Sequence, residues 1–168
     1  PCGKLPDTQT KKADDYPYFE NFGKRLVKSQ KLYFTEPGLA AWLLGINSPE
    51  QISRDPLFGG LFENMVVAEA LKSRLNLGEM PELYFLRDSQ GLEADLLFRM
   101  SHDRLIPIEI KGGITWNKNF GKNLLKLRKL SPKFAKGYVI YAGNLTPEID
   151  GIKFINFKDT ASVFSDKR

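Results

Sequence analysis

Glu109 and Lys111 stand two residues apart in "RLIPIEIKGG" (104–113), and Asp95 lies fourteen residues before Glu109 in "LEADLLFRM" (92–100). Ile106, Ile108 and Ile110 occupy one face of a period-two strand, so Glu109 and Lys111 share the other. If the two segments are the arms of a hairpin turning near residues 101–103, Asp95 comes within a few positions of the cross-strand partner of Glu109. Both carboxylates then converge on the polar side of one sheet. Glu63, in the first turn of a helix predicted from "LFENMVV", reaches the same edge if that helix packs across the sheet. Three carboxylates and a lysine in one cleft suit hydrolysis of a phosphodiester with magnesium or manganese. The carboxylates hold the hard cation, the cation activates water and neutralises the scissile phosphate, and the ammonium orients water or stabilises charge.

Each residue also has a plainer explanation. Glu63 near a helix N-terminus is favoured by the helix dipole. Glu109 and Lys111 make an ordinary ion pair, worth under about 1 kcal/mol if exposed. Asp95 between Ala94 and Leu96 is harder to dismiss, because aspartate is a poor strand former. A single cysteine, Cys2, excludes an internal disulfide and a cysteine-type zinc site, and fits a reducing cytoplasm. A single histidine, His102, excludes histidine triads and poly-histidine metal sites, which leaves carboxylates as the metal-binding groups.

The elements that must position these residues follow from periodicity. "GLFENMVVAEALKSRLNLG" (60–78) carries apolar residues at 61, 65, 68, 71 and 75, a helical stripe that Gly78 is placed to stop. Segments 82–87, 93–100 and 104–111 read as three strands joined by short turns, an antiparallel meander. Pro107 cannot donate to a ladder, which predicts that its strand is an edge on one side. Residues 117–130 read as a basic amphipathic helix with Phe120, Leu124, Leu127 and Leu130 inward. Residues 137–143 form an apolar central strand, and 152–157 another.

Upstream, 24–34 reads as a hairpin around a Lys-Ser-Gln turn. Residues 35–46 read as a short helix with Thr35 as N-cap and Pro37 in its first turn. Residues 48–58 suggest another short helical piece. The chain divides into a polar linker (1–15), a lead-in of hairpin and short helices (16–58), and a mixed domain (59–160).

The net charge is +5, unevenly spread. Eight lysines and arginines and no acid lie between Lys111 and Lys136. The bland reading is a solvated basic helix; the sharper one is a phosphate-facing surface beside an acidic pocket. Lys118, Lys122, Lys126, Arg128 and Lys129, with Arg87, are then the candidates for contacting a nucleic-acid backbone. Trp116 and Phe120 are core residues or base-stacking ones. No apolar run approaches the roughly 18 residues of a membrane helix.

Asp95, Glu109-Ile110-Lys111 and Glu63 together resemble the PD-(D/E)XK nuclease superfamily, in residues and in the helix–strand–strand–strand–helix–strand order. More closely, "GKRLVKSQKLYFTEPGLAAWLLGI", "GGLFENMVVAEALK", "YFLRDSQGLEADLLF" and "IPIEIKGG" resemble the C-terminal domain of unknown function 4143 of prokaryotic AAA+ ATPases. The likeness runs from about Tyr16 to Phe157. It implies an α/β (α+β) fold with a restriction-endonuclease-like core, a mixed sheet flanked by helices. It also implies Asp95, Glu109 and Glu63 as ligands of magnesium or manganese, with Lys111 as the catalytic lysine and Glu69 as the alternative helix glutamate. "EADLL" lacks the proline of the superfamily's name. The family also implies an N-terminal ATP-binding region and a winged helix. Neither a G-x-x-x-x-G-K-[ST] loop nor a full winged helix is present, so the chain reads as a C-terminal fragment, with 16–34 as the remaining wing.

Three functions are compatible with this sequence. The first is a magnesium-dependent nuclease acting on DNA or RNA. The second is an inactive nucleic-acid- or protein-binding module that regulates the ATPase. The third is an assembly domain, in which the apolar "GLAAWLLGI" docks on the ATPase or on another copy.

Overall fold

Short polar turns between apolar strands set the centre of the fold. The computed structural model describes residues 13–17, 31–134 and 136–165. In chain order the elements are β1 (Ala13–Pro17), β2 (Lys31–Tyr33), α1 (Pro37–Leu43), α2 (Pro49–Arg54), α3 (Phe58–Asn76) and β3 (Leu83–Arg87). They continue with β4 (Glu93–Ser101), β5 (Arg104–Lys111), α4 (Lys122–Leu130), β6 (Gly137–Tyr141), β7 (Glu148–Ile149), β8 (Ile152–Asn156) and α5 (Thr160–Phe164).

The strands form one mixed sheet in the order β2-β1-β3-β4-β5-β6-β8-β7. β3, β4 and β5 are the expected antiparallel meander. Asp88 builds the first turn: its Oδ1 accepts from the backbone N–H groups of Gln90 (2.9 Å) and Leu92 (2.7 Å). β6 then joins β5 in parallel, a pairing that needs a crossover, and α4 lies in that crossover. From α3 to β6 the order is helix, three strands, helix, strand, as the sequence predicts.

Two apolar layers enclose the sheet. Phe62, Val66, Val67 and Ala70 of α3, with Val163 and Phe164 of α5, pack on Leu96, Phe98, Ile106, Ile108 and Ile110. Leu124 and Leu127 of α4 pack on Leu97, Leu105, Val139, Tyr141 and Phe154 of the opposite side. Each such side chain contributes roughly 1.5–3 kcal/mol when fully buried.

Several expectations need correction. The buried stripe of α3 is 62, 66, 67 and 70, not 61, 65, 68, 71 and 75; of that set only Ala68 is fully buried and Leu75 is exposed. α3 carries apolar residues on both sides, so periodicity alone could not select the face. The helix also starts at Phe58, which places Glu63 in its second turn. Leu130 is exposed at the end of α4 rather than inward. Glu36, not Thr35, occupies the N-cap of α1, with Pro37 in its first turn.

Pro107 does not lie in an edge strand, since β5 pairs on both sides. N–H groups alternate sides along a strand, and Leu105 N–H bonds Lys133 O on the side where β6 lies. The donor that Pro107 lacks therefore points the same way, just before the first β5–β6 pair, Ile108↔Tyr138.

β2 pairs with β1, so residues 13–15 belong to the sheet. The remainder of the polar stretch (1–12) and the first arm and turn of the expected 24–34 hairpin lie outside the described residues. Among the described residues, no helix is long and apolar enough to cross a membrane.

Candidate functional site

A bulge positions Asp95. β4 has one residue more than β3 between the pairs Tyr84↔Leu97 and Leu86↔Ala94, so Asp95 and Leu96 together stand opposite Phe85. Such an insertion bends a strand and re-aims its side chains. The β4–β5 ladder closes at the pair Leu96↔Ile108, which leaves Asp95 and Glu109 as neighbours just past its end. There Asp95 Oδ2 accepts the backbone N–H of Ile110 at 2.8 Å.

Glu109 follows from strand alternation. Ile108 and Ile110 lie in the core beneath α3, so Glu109 and Lys111 take the side covered by α4. Lys111 Nζ contacts Glu109 Oε1 at 2.7 Å. Oε2 of Glu109 is buried and has no hydrogen-bond partner. Asp95 and Glu109 are each more than nine-tenths buried, whereas the Lys111 side chain is 39% exposed.

The electrostatics follow from that burial. Burial, reinforced by the charge of Asp95, pushes the Glu109 carboxyl up to about 7, against the opposing pull of Lys111. Burial also raises Asp95, only partly offset by the Ile110 N–H. Burial works to lower Lys111, but the hydrogen bond and charge of Glu109 outweigh it and the ammonium lies above its ordinary value. Removing carboxylates from water costs more than one lysine returns.

The structure brings Asp95, Glu109 and Lys111 together, and Glu63 is held one shell away. Glu63 Oε1 accepts from Tyr33 Oη at 2.6 Å and from Lys31 Nζ at 3.0 Å. Lys31 also lies 3.6 Å from Glu93 Oε1 and 5.5 Å from the centre of the Phe85 ring. Among the described residues, no three acidic, histidine or cysteine side chains are grouped closely enough to hold a metal together. Glu69 is exposed and paired with Lys72 at 3.3 Å.

Lys31, Tyr33 and Glu93 are additions that the sequence reading did not reach. Their signal was present: Lys31 and Tyr33 share a strand face by alternation, and Glu93 stands two residues before Asp95.

The basic candidates separate into two groups. Lys118, Lys122, Lys126 and Lys129 are exposed. The expected helix 117–130 is α-helical only from Lys122, so the spacing of four and three gathers Lys122, Lys126 and Lys129 on one flank. Lys118 stands in the 3-10 turn (Lys118–Gly121) that leads into it. Arg128 instead donates to the carbonyl of Asp150, and Arg87 pairs with both oxygens of Glu93 at 3.0 and 3.2 Å. Trp116 packs on Phe154 and Phe120 on Tyr141, so both serve the core.

The arrangement defines a mixed α+β domain with a desolvated Asp–Glu–Lys cluster on adjacent central strands. Residues 58–159 match the family described as "Domain of unknown function (DUF4143)", and the chain belongs to that family. It is 35% identical over 85 residues to "Uncharacterized protein Rv2008c" of Mycobacterium tuberculosis and to "Uncharacterized protein Mb2031c" of Mycobacterium bovis. Each match covers 51% of this chain and 18% of the relative, so the shared region is under a fifth of those proteins. No solved structure matches the chain.

Proposed function

We propose that this domain is a PD-(D/E)XK-type phosphodiesterase module, acting on DNA or RNA with magnesium or manganese, at the C-terminal end of an AAA+ ATPase. The observation that carries the reading is the buried pair Asp95 and Glu109 with Lys111 beside them, on adjacent strands of a sheet with the superfamily's element order. The donor chemistry suits a hard cation: Glu109 Oε2 is buried without a partner, and Asp95 supplies a second carboxylate nearby. Asp95 and Glu109 would hold the ion, with Glu63 as a further ligand. When bound, it would supply charge for the scissile phosphate and a more acidic water.

The chain's own residues have separable tasks. Lys111 holds Glu109 through Oε1, and with its side chain partly exposed it can also meet a phosphate oxygen. Glu109, titrating near 7, must release its proton before it can hold the ion, so the site becomes competent around neutral pH. Lys118, Lys122, Lys126 and Lys129 offer sequence-independent phosphate contacts on the side of the sheet that Glu109 faces.

The test is cleavage of plasmid, linear duplex, single-stranded DNA and RNA with magnesium or manganese, comparing the chain with Glu109→Ala and Lys111→Ala. Metal-dependent cutting that both substitutions abolish is the expected result. No cutting, together with no manganese binding by calorimetry, would replace the proposal with the second reading. That reading is a non-catalytic binding or assembly module, favoured by the engagement of Glu63 and by exposed Leu39, Trp42, Leu43 and Leu44 on and beside α1.

A further inference from the structure

Lys31, from outside the family segment, bridges Glu63 of α3 and Glu93 at the start of β4, and the charges of Glu63 and Lys31 both reach Asp95, the neighbour of Glu109. The Lys31 side chain is only 20% exposed; its ammonium lies 3.0 Å from Glu63 and 3.6 Å from Glu93, and its charge also acts on Asp95. Tyr33 completes the hold on Glu63 at 2.6 Å. β2 itself is fastened to α3, because the Asn64 side chain accepts from Phe34 N–H at 2.7 Å and donates to Phe34 O at 2.8 Å. Asn64 is next to Glu63, so the fastening and the captured carboxylate are adjacent on one helix.

We propose that β2 is an inhibitory strap: Lys31 serves as a resident cation in the acidic cleft, and with Tyr33 it withholds Glu63 from Asp95 and Glu109. A divalent cation and the Lys31 ammonium then compete for the same carboxylates. Completing the metal site requires Lys31 to leave, which places the site under the control of whatever moves β2. This inference rests on the metal-dependent reading above.

Manganese alone is the probe, titrated calorimetrically into the 168-residue chain and into Lys31→Met, Tyr33→Phe and Lys31→Arg. Removing a charge-assisted hydrogen bond from a competed carboxylate should tighten manganese binding about tenfold or more in Lys31→Met, with a smaller gain in Tyr33→Phe. Lys31→Arg keeps the cation and should stay near wild type. Circular dichroism and a thermal melt of each variant identify any that fails to fold, and Tyr33→Phe then provides the comparison in place of Lys31→Met. Manganese binding by wild type that is unchanged or weakened in both Lys31→Met and Tyr33→Phe overturns the strap while leaving the metal site in place. Binding by neither wild type nor folded variants overturns both proposals.

Discussion

The backbone N–H of Ile110 donates to Oδ2 of Asp95 at 2.8 Å, where the bulge in β4 interrupts regular strand pairing. Asp95 is therefore both an acceptor that the sheet needs and a charge that Glu109 feels. Two substitutions separate these roles. Asp95→Ala leaves a buried donor unpaired and should lower stability by about 1–3 kcal/mol in urea unfolding. Asp95→Asn retains an acceptor while deleting the charge, so it should cost less and move the Glu109 titration down toward the usual carboxylate range, read by carbon-13 NMR of the Glu109 carboxyl.

Glu109 makes stability depend on pH in a defined direction. Its folded value of about 7 exceeds its ordinary 4.5, so between these values the folded state holds a proton that the unfolded state has released. Stability should fall as pH rises through that window, by roughly 3 kcal/mol, and level off above it. Glu109→Gln should flatten the curve and exceed wild type at pH 8. A wild-type curve that instead rises from pH 5 to 8 under chemical denaturation would contradict the electrostatic account.

On the metal-dependent reading proposed above, manganese affinity should have the opposite slope. A cation binds the deprotonated carboxylate, so affinity should strengthen as pH rises through about 7 and plateau once Glu109 is ionised. Calorimetry in buffers of different ionisation enthalpy should show proton release below that pH and little above it.

Asn64 gives a prediction independent of catalysis. Its amide completes a two-way hydrogen bond with the backbone of Phe34, and the residue is only 6% exposed. Asn64→Ala should destabilise the chain by about 2 kcal/mol. Hydrogen exchange should show faster labelling of residues 31–34, with little change in β4 and β5. Uniform acceleration across the sheet would mean that Asn64 supports the whole core rather than β2.

Arg74 is buried at the far end of α3, donating to Phe164 O at 3.1 Å and to Glu79 at 2.9 Å, with its guanidinium 4.9 Å from the centre of the Phe98 ring. A lysine cannot reproduce that fork or the ring contact. Arg74→Lys should cost about 2–4 kcal/mol without altering manganese binding. A melt within a degree of wild type would show that the fork is dispensable.

Local patterning identified what local physics decides. The meander from β3 to β5, the α4 helix, and β6 follow from alternation, helical periodicity and turn residues, and Gly78 stops α3 where expected, with φ of 69°. The Asp95–Glu109–Lys111 cluster followed too, because two strands joined by a short turn must bring those positions together. Partners distant in sequence were out of reach. Nothing near Glu63 announces that Lys31 and Tyr33, thirty or more residues earlier, will hold it. The Arg74 to Phe164 O bond spans ninety residues, and an arginine on a helix reads as surface until the carbonyl it serves is known. Pro107 misled for a related reason: its missing donor faces a strand that arrives only after a 25-residue crossover.

That crossover also bears on the order in which the chain assembles. β3, β4 and β5 are linked by five residues and then by two, whereas β6 must return across the long connection. Short closures form fastest, so the meander should appear before the strand and helix that bury it. Asp95 and Glu109 would then meet while still in water and lose their hydration together as β6 and α4 dock. The energetic cost of the carboxylate pair would fall on the late stage of folding. Pulsed hydrogen-exchange labelling should find β4 and β5 amides protected before those of β6, and Glu109→Gln should accelerate the later phase.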